Sequence, residues 1–179
     1  VTKVAIVRTS DGEVILNCIN SADAEHYDLA GCELVELDGI ALELAEQGFP
    51  LNYSDGQLQP PLDLLRARAR QRINTEREAR KDAGCDTAIG RVDSDPASRA
   101  NVTGAATAAM IAQAAAAPFE INWTLADNST VALDAPSTIG MGLAVLAHVS
   151  AVHDEATALK TAIDAAETAE DIAAVAWPI

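Results

Sequence analysis

The side chains best suited to bind a metal, attack a carbonyl or move a proton are few: His26, His148 and His153, and Cys18, Cys32 and Cys85. His148 and His153 are five residues apart, which on a helix puts them on different faces, so they cannot chelate one ion together. The cysteines are odd in number and far apart, with no Cys-x-x-Cys and no histidine pair at ligand spacing; reduced structural thiols are the expectation. His153-Asp154-Glu155 sets a base beside two carboxylates in sequence, but neighbours on a helix point apart, and no Ser or Cys sits in a nucleophile elbow. Asp93 and Asp95 lack the further oxygen donors of a calcium loop and read as turn and cap residues. No Gly-rich phosphate loop and no paired-carboxylate signature appears. The expectation is a non-enzyme that holds no metal and no cofactor.

Charge sets the class of partner more firmly than any motif. The 179 residues carry a net charge of −15, distributed unevenly. Residues 1–60 hold eleven acids and two bases, residues 61–100 seven acids and nine bases, and residues 101–179 nine acids and one base. A chain acidic at both ends repels a phosphate backbone and an anionic bilayer, so neither nucleic acid nor membrane is expected as a partner. No run approaches the roughly 20 apolar residues of a membrane span, and the amino terminus lacks the basic and apolar regions of a secretory signal. A soluble protein that meets another protein is expected.

The elements that must position these groups read as α+β: a small N-terminal β-rich module over 1–60, then a helical domain over 62–179 built as helix, helix, β-hairpin and long helix. Val4–Val7 and Val14–Ile19 are apolar runs separated by Asp11-Gly12, a strong hairpin signal. Cys32–Asp38 reads as a third strand and Ile40–Gln47 as a helix ended by Gly48. Residues 49–59 are extended and turn-rich, and Pro60-Pro61 closes the module.

Leu62, Leu65, Ala69 and Ile73 then recur at helical spacing until Gly84. Seven of the twelve bases lie between Arg66 and Lys81, and Arg66, Arg70, Arg77 and Lys81 fall near one face. Functionally this face is a candidate dock for an acidic partner; structurally it is a solvated face or a latch on the chain's own acidic ends, and the latter reading is preferred because charge runs usually remain solvated. Asp95-Pro96 opens the next helix through Ala117. In the strand that follows, Phe119, Ile121 and Trp123 share one face at period two and are expected in the core, with residues 126–129 turning the chain into Thr130–Leu133. After Pro136, a stripe of Ile139, Leu143, Leu146, Val149, Val152, Ala156, Leu159 and Ile163 keeps three- and four-residue spacing. It resembles a coiled-coil seam, yet burial against the preceding helix is the favoured reading, placing Leu143, Leu146 and Leu159 in the core. Thr168-Ala169-Glu170-Asp171 resembles a capping box with Asp in place of Glu.

From about Leu64 to Trp177 the sequence resembles the carboxy-terminal domain of unknown function found in many tailed-phage proteins encoded with tail fibres. The residues that carry the likeness are Arg70–Asn74, Arg77–Arg80, Asp93-Ser94-Asp95, Ser98–Ala105, Trp123–Asn128, Val131–Ala135, Ala147-His148-Val149 and His153. The resemblance implies a tail-fibre assembly chaperone, or a fibre-bound accessory protein retained in the virion, with a trimeric phage tail-fibre protein as partner. It supplies no catalytic residues. The alternative reading is a permanent structural subunit of the tail or baseplate. Either places the chain in the bacterial host cytoplasm during assembly, or in the virion tail. Surplus apolar surface on the long helix is available for self-association.

Overall fold

The computed structural model describes residues 2–178. The fold is α+β, with most of the strands in the first third and helices dominant after them. The chain divides into two compact units. One holds the residues up to Ala69 together with Ala166–Ala174, and the other holds Arg70–Ala165 with the last residues from Val175.

In the first unit β1 (Lys3–Arg8) lies between β2 (Val14–Asn20) and β3 (Cys32–Glu36), antiparallel to both. Val4, Ala5, Ile6 and Val7 are all buried, so this central strand reads as a continuous apolar run with both faces covered and does not alternate. The β1–β2 turn closes through Gly12 at φ +73, and β2 is irregular, with two register shifts against β1 and Cys18 at positive φ. A 3-10 turn (Ser21–His26) leads towards β3, and α1 (Gly39–Glu46) buries Ala41, Leu44 and Ala45. The turn-rich stretch forms a hairpin, β4 (Asn52–Ser54) and β5 (Gln57–Gln59), across Asp55-Gly56, both at positive φ as a type I′ turn requires.

The boundary between units is not at Pro60-Pro61. These prolines mark only the start of α2 (Leu62–Asp82), whose first two turns belong to the first unit. That unit is completed by α5 (Ala169–Ala174), which buries Ile172; the Arg66 guanidinium donates to the Ala166 carbonyl at 2.9 Å. Thr168 caps α5 as the sequence suggests, its hydroxyl accepting from the Asp171 N–H at 3.0 Å. A composition break can signal a helix start, but it cannot reveal that a distant segment returns.

The second unit continues from α2 into a short hairpin, β6 (Cys85–Thr87) and β7 (Gly90–Val92). Then come α3 (Pro96–Ala114), the hairpin β8 (Glu120–Thr124) and β9 (Thr130–Asp134), and α4 (Ala135–Ala165). Asp95 caps α3, its carboxylate accepting from the backbone N–H groups of Ala97 at 2.9 Å and Ser98 at 3.2 Å. Pro96 in the first turn loses no needed donor. Asp134 does the same for α4 through the Ser137 N–H, while the buried Thr138 hydroxyl donates back to the Asp134 carbonyl. The core is Cys85, Val92, Val102, Leu133, Met141 and Val145, with Ile121, Trp123, Leu125 and Val131 half-buried against it. α3 and α4 approach closely at Gly142, where an added Cβ would lie 2.9 Å from the Ala106 Cβ.

Several expected core positions differ. Phe119 precedes β8 and is only half-buried, as are Ile121, Trp123 and Leu159, while Leu143 and Leu146 are 61% and 64% exposed. The first half of α4 buries Thr138, Met141 and Val145 instead. Leu143 is two residues from both Met141 and Val145, about 200° around the helix, and so faces away from the core. The sequence stripe fails here because α4 carries apolar residues on both sides in its first four turns. By length and composition α4 could cross a membrane, contrary to the expectation above, and only 17% of its most apolar window is buried.

Two outcomes follow from this packing. Gly142→Ala is expected to lower the melting temperature, because overpacking against the rigid Ala106 methyl costs about 1–3 kcal/mol and exceeds the roughly 1 kcal/mol of helix propensity gained. Gly140→Ala, with nothing within 4 Å of the new Cβ, is expected to raise it; a melt of each against wild type checks the pair. The second outcome concerns pH. The Ser98 hydroxyl and neighbouring N–H groups hold the Asp95 carboxyl below its ordinary value of 3.8. Its stabilisation is therefore complete above that value and is lost as pH falls through the lower folded-state value. Asp95→Asn keeps the cap without the titration, so wild type should exceed it in urea midpoint at pH 7 by more than at pH 2.5.

Candidate functional site

The basic face of α2 is the strongest candidate the sequence offered, and its side chains bind within the chain. Arg66 pairs with Asp63 at 2.9 Å and donates to Ala166. Arg70 grips Asp164 with two nitrogens, the Nε bond being 2.9 Å. Arg77 and Lys81 converge on Glu78 at 2.7 and 2.8 Å, and these two hydrogen bonds pull the Glu78 carboxyl down to about 2. Lys81 is the least exposed of the four bases, its side chain retaining 13% of its surface.

The neighbouring bases hold the carboxy-terminal strap. Arg72 donates to the Val175 carbonyl at 2.6 Å and Arg80 to the Pro178 carbonyl at 3.2 Å. The Arg80 guanidinium also lies 4.9 Å from the centroid of the Trp177 ring, a cation–π contact that orients the indole. The Arg80 carbonyl, in turn, contacts His148 Nε2 at 3.1 Å; since a carbonyl only accepts, that nitrogen carries the proton. Arg72 and Arg80 thus latch Val175–Pro178 onto α2, while Arg66, Arg70, Arg77 and Lys81 pair with other groups of the chain. From the sequence, the partners of a latch are expected to be the acidic ends; the partners of Arg72 and Arg80 are instead backbone carbonyls about a hundred residues away, which nothing in residues 66–81 indicates.

A second feature unites residues that the sequence did not group. Asp93, Ser98, Asn101, Asn122, Trp123 and Thr124 line a cleft of about 320 Å³ between the end of β7, the first turns of α3 and the strand β8. The side chains of Asp93, Asn101 and Asn122 are exposed and make no hydrogen bond to another described residue, so their polar groups are available at this surface. One carboxylate, two amides and an aromatic edge can hydrogen-bond and stack. They do not assemble a nucleophile with a base. Of the other candidates for chemistry, Cys85 is buried, and burial pushes its thiol pKa up, against reactivity; His26 and His153 are exposed and remote from it in sequence. Among the described residues no cluster of three or more metal-ligating side chains occurs.

A family described as a domain of unknown function, DUF4376, matches residues 64–176. The chain belongs to this family. The DUF4376 span covers Arg70–Ala165 of the second unit, α5 and every residue of the cleft, and ends at residue 176. The family description names no activity and no partner. No curated protein and no solved structure matches the chain.

The latch predicts a local effect. In Arg80→Ala the strap loses a carbonyl hydrogen bond and the cation–π contact, the latter worth about 0.5–1 kcal/mol at an exposed site. Amide exchange from Val175 onward should become several-fold faster while the core at Val92 and Leu133 keeps its protection. Unchanged strap exchange, read by mass spectrometry, would count against the latch.

Proposed function

We propose that this chain is a protein-binding accessory of a bacteriophage tail fibre, acting as an assembly chaperone on the trimeric fibre and engaging it through the first unit. The reading rests on the resemblance from Leu64 to Trp177 for its context. The observation that supports the contact is the outer edge of β3. This strand pairs with β1 at all five residues without a bulge, and it is terminal in the sheet. Its backbone groups therefore face outward in regular spacing, a template for a strand of another chain. Leu34, 42% exposed in the middle of that edge, offers an apolar anchor between Glu33 and Glu36. The opposite edge, β2, is irregular and suits pairing poorly. The α2 bases are a weaker dock, since they already hold carboxylates and carbonyls of this chain.

Co-expression with the neighbouring fibre gene tests the reading. Wild type should keep the fibre soluble and co-purify with it. Leu34→Lys puts a charge on the edge and should reduce recovery of the complex on the order of tenfold, the scale of losing one anchoring side chain. Co-purification unaffected by Leu34→Lys would reject the β3 contact; a fibre that folds and purifies without the chain would reject the chaperone. Stoichiometric recovery of the chain in purified particles would assign it to the tail as a permanent subunit.

A further inference from the structure

We propose that the outer face of α4 is an interface between two copies of this chain, paired about a two-fold axis. The face is defined by the contact at Gly142 and Ala106. On α4, Ile139 and Leu146 lie three before and four after Gly142, in one row, with Leu143 beside them; on α3, Met110 lies one turn beyond Ala106. Leu143, Leu146 and Met110 are 61%, 64% and 58% exposed. On the other flank of α4, Pro136, Gly140 and Ala144 join Thr87, Ala88, Ile89, Ser137 and Met141 of the same unit around an apolar groove of about 380 Å³. One helix therefore presents projecting leucines on one side and a hollow on the other. Two copies of α4 crossing antiparallel near Gly140 and Leu143 bring the leucines of each over the hollow of the other. That reciprocal fit is what a two-fold interface requires.

Charge and area both favour a second copy. The chain carries −15, so two copies repel over most of their surfaces. Between Arg99 and Glu120 on the α3 side, and between Asp134 and Asp154 on α4, there is no formally charged residue. Here copies can meet without desolvating charge. The uncharged part of α4 is roughly 28 Å long at 1.5 Å per residue. With α3 about 8–10 Å to one side and the groove on the other, the strip covers on the order of 600–700 Å². A standard interface takes about 800 Å² from each partner, and the largest apolar patch of a typical monomer is about 300–600 Å². The helix also meets the length and composition of a membrane span, but Asp134 and Asp154-Glu155 flank the strip and only Lys160 is basic beyond Arg99. A bilayer surface favours the opposite charges.

The pairing needs no fibre, so it is tested on the purified full-length chain by sedimentation velocity and light scattering. At about 100 μM, where even a weak micromolar dimer is populated, wild type is expected at twice the 18.6 kDa chain mass. Leu143→Glu with Leu146→Glu should return it to a monomer, or weaken the dimer more than tenfold, with an unchanged helical circular dichroism spectrum. Gly140→Arg, which fills the hollow where the monomer has open space, should weaken the dimer likewise while leaving the monomer folded. A monomeric wild type would overturn the proposal, as would a dimer that none of these substitutions weakens. Co-flotation of wild type with neutral phosphatidylcholine vesicles, lost in the double variant, would overturn it in favour of a membrane surface.

Discussion

The second unit depends on how near α3 and α4 can come. At Gly142 the helices leave no room for a methyl group against Ala106, and this approach is possible only because both contact positions are small. It sets the distance over which the β8–β9 hairpin must span from one helix to the other and seats Val102 and Val145 in one core with Leu133. Each helix begins at an aspartate, Asp95 or Asp134, that satisfies its first free N–H groups. The close contact and the two caps are local features, yet together they determine where the sheet lies. With six aromatic residues in the chain, close approach of small side chains supplies the packing that bulk would otherwise supply.

The basic segment shows how composition and use diverge. A row of arginines and a lysine in an acidic protein has the look of a docking surface, but each side chain has a geometrically satisfying partner nearby. Arg70 meets a carboxylate of α4, Arg72 and Arg80 meet carbonyls of the strap, and Arg77 and Lys81 share Glu78. Exposed pairs of this kind contribute little stability each. The consequence of the two arginine–carbonyl contacts is positional: they fix Val175–Pro178 along α2 and place Trp177 under Arg80.

The surfaces that remain available are of two sorts. β3 offers backbone hydrogen bonds with one exposed leucine, and the cleft beside Trp123 offers amides and a carboxylate. The outer face of α4 offers side-chain packing without charge.

Local signals were legible in the sequence. Asp11-Gly12, Asp95-Pro96 and the capping pair at Thr168 and Asp171 each mark a turn or a helix start, because a turn or cap involves only a few consecutive residues. The β8–β9 hairpin and the order of strands and helices followed from period two and period 3.6 in the same way. The tertiary structure alone decided which side of α4 is covered. Met141 and Val145 on one side and Leu143 and Leu146 on the other are equally apolar, and periodicity has no means to rank two apolar sides when alanine and glycine fill the space between them. It alone also brought Ala166–Ala174 back to the first unit and the strap onto α2, since a backbone carbonyl carries no mark in the sequence. Elements arise from neighbours along the chain, whereas burial depends on what arrives from far away, and here that decision turned on the space beside Gly142.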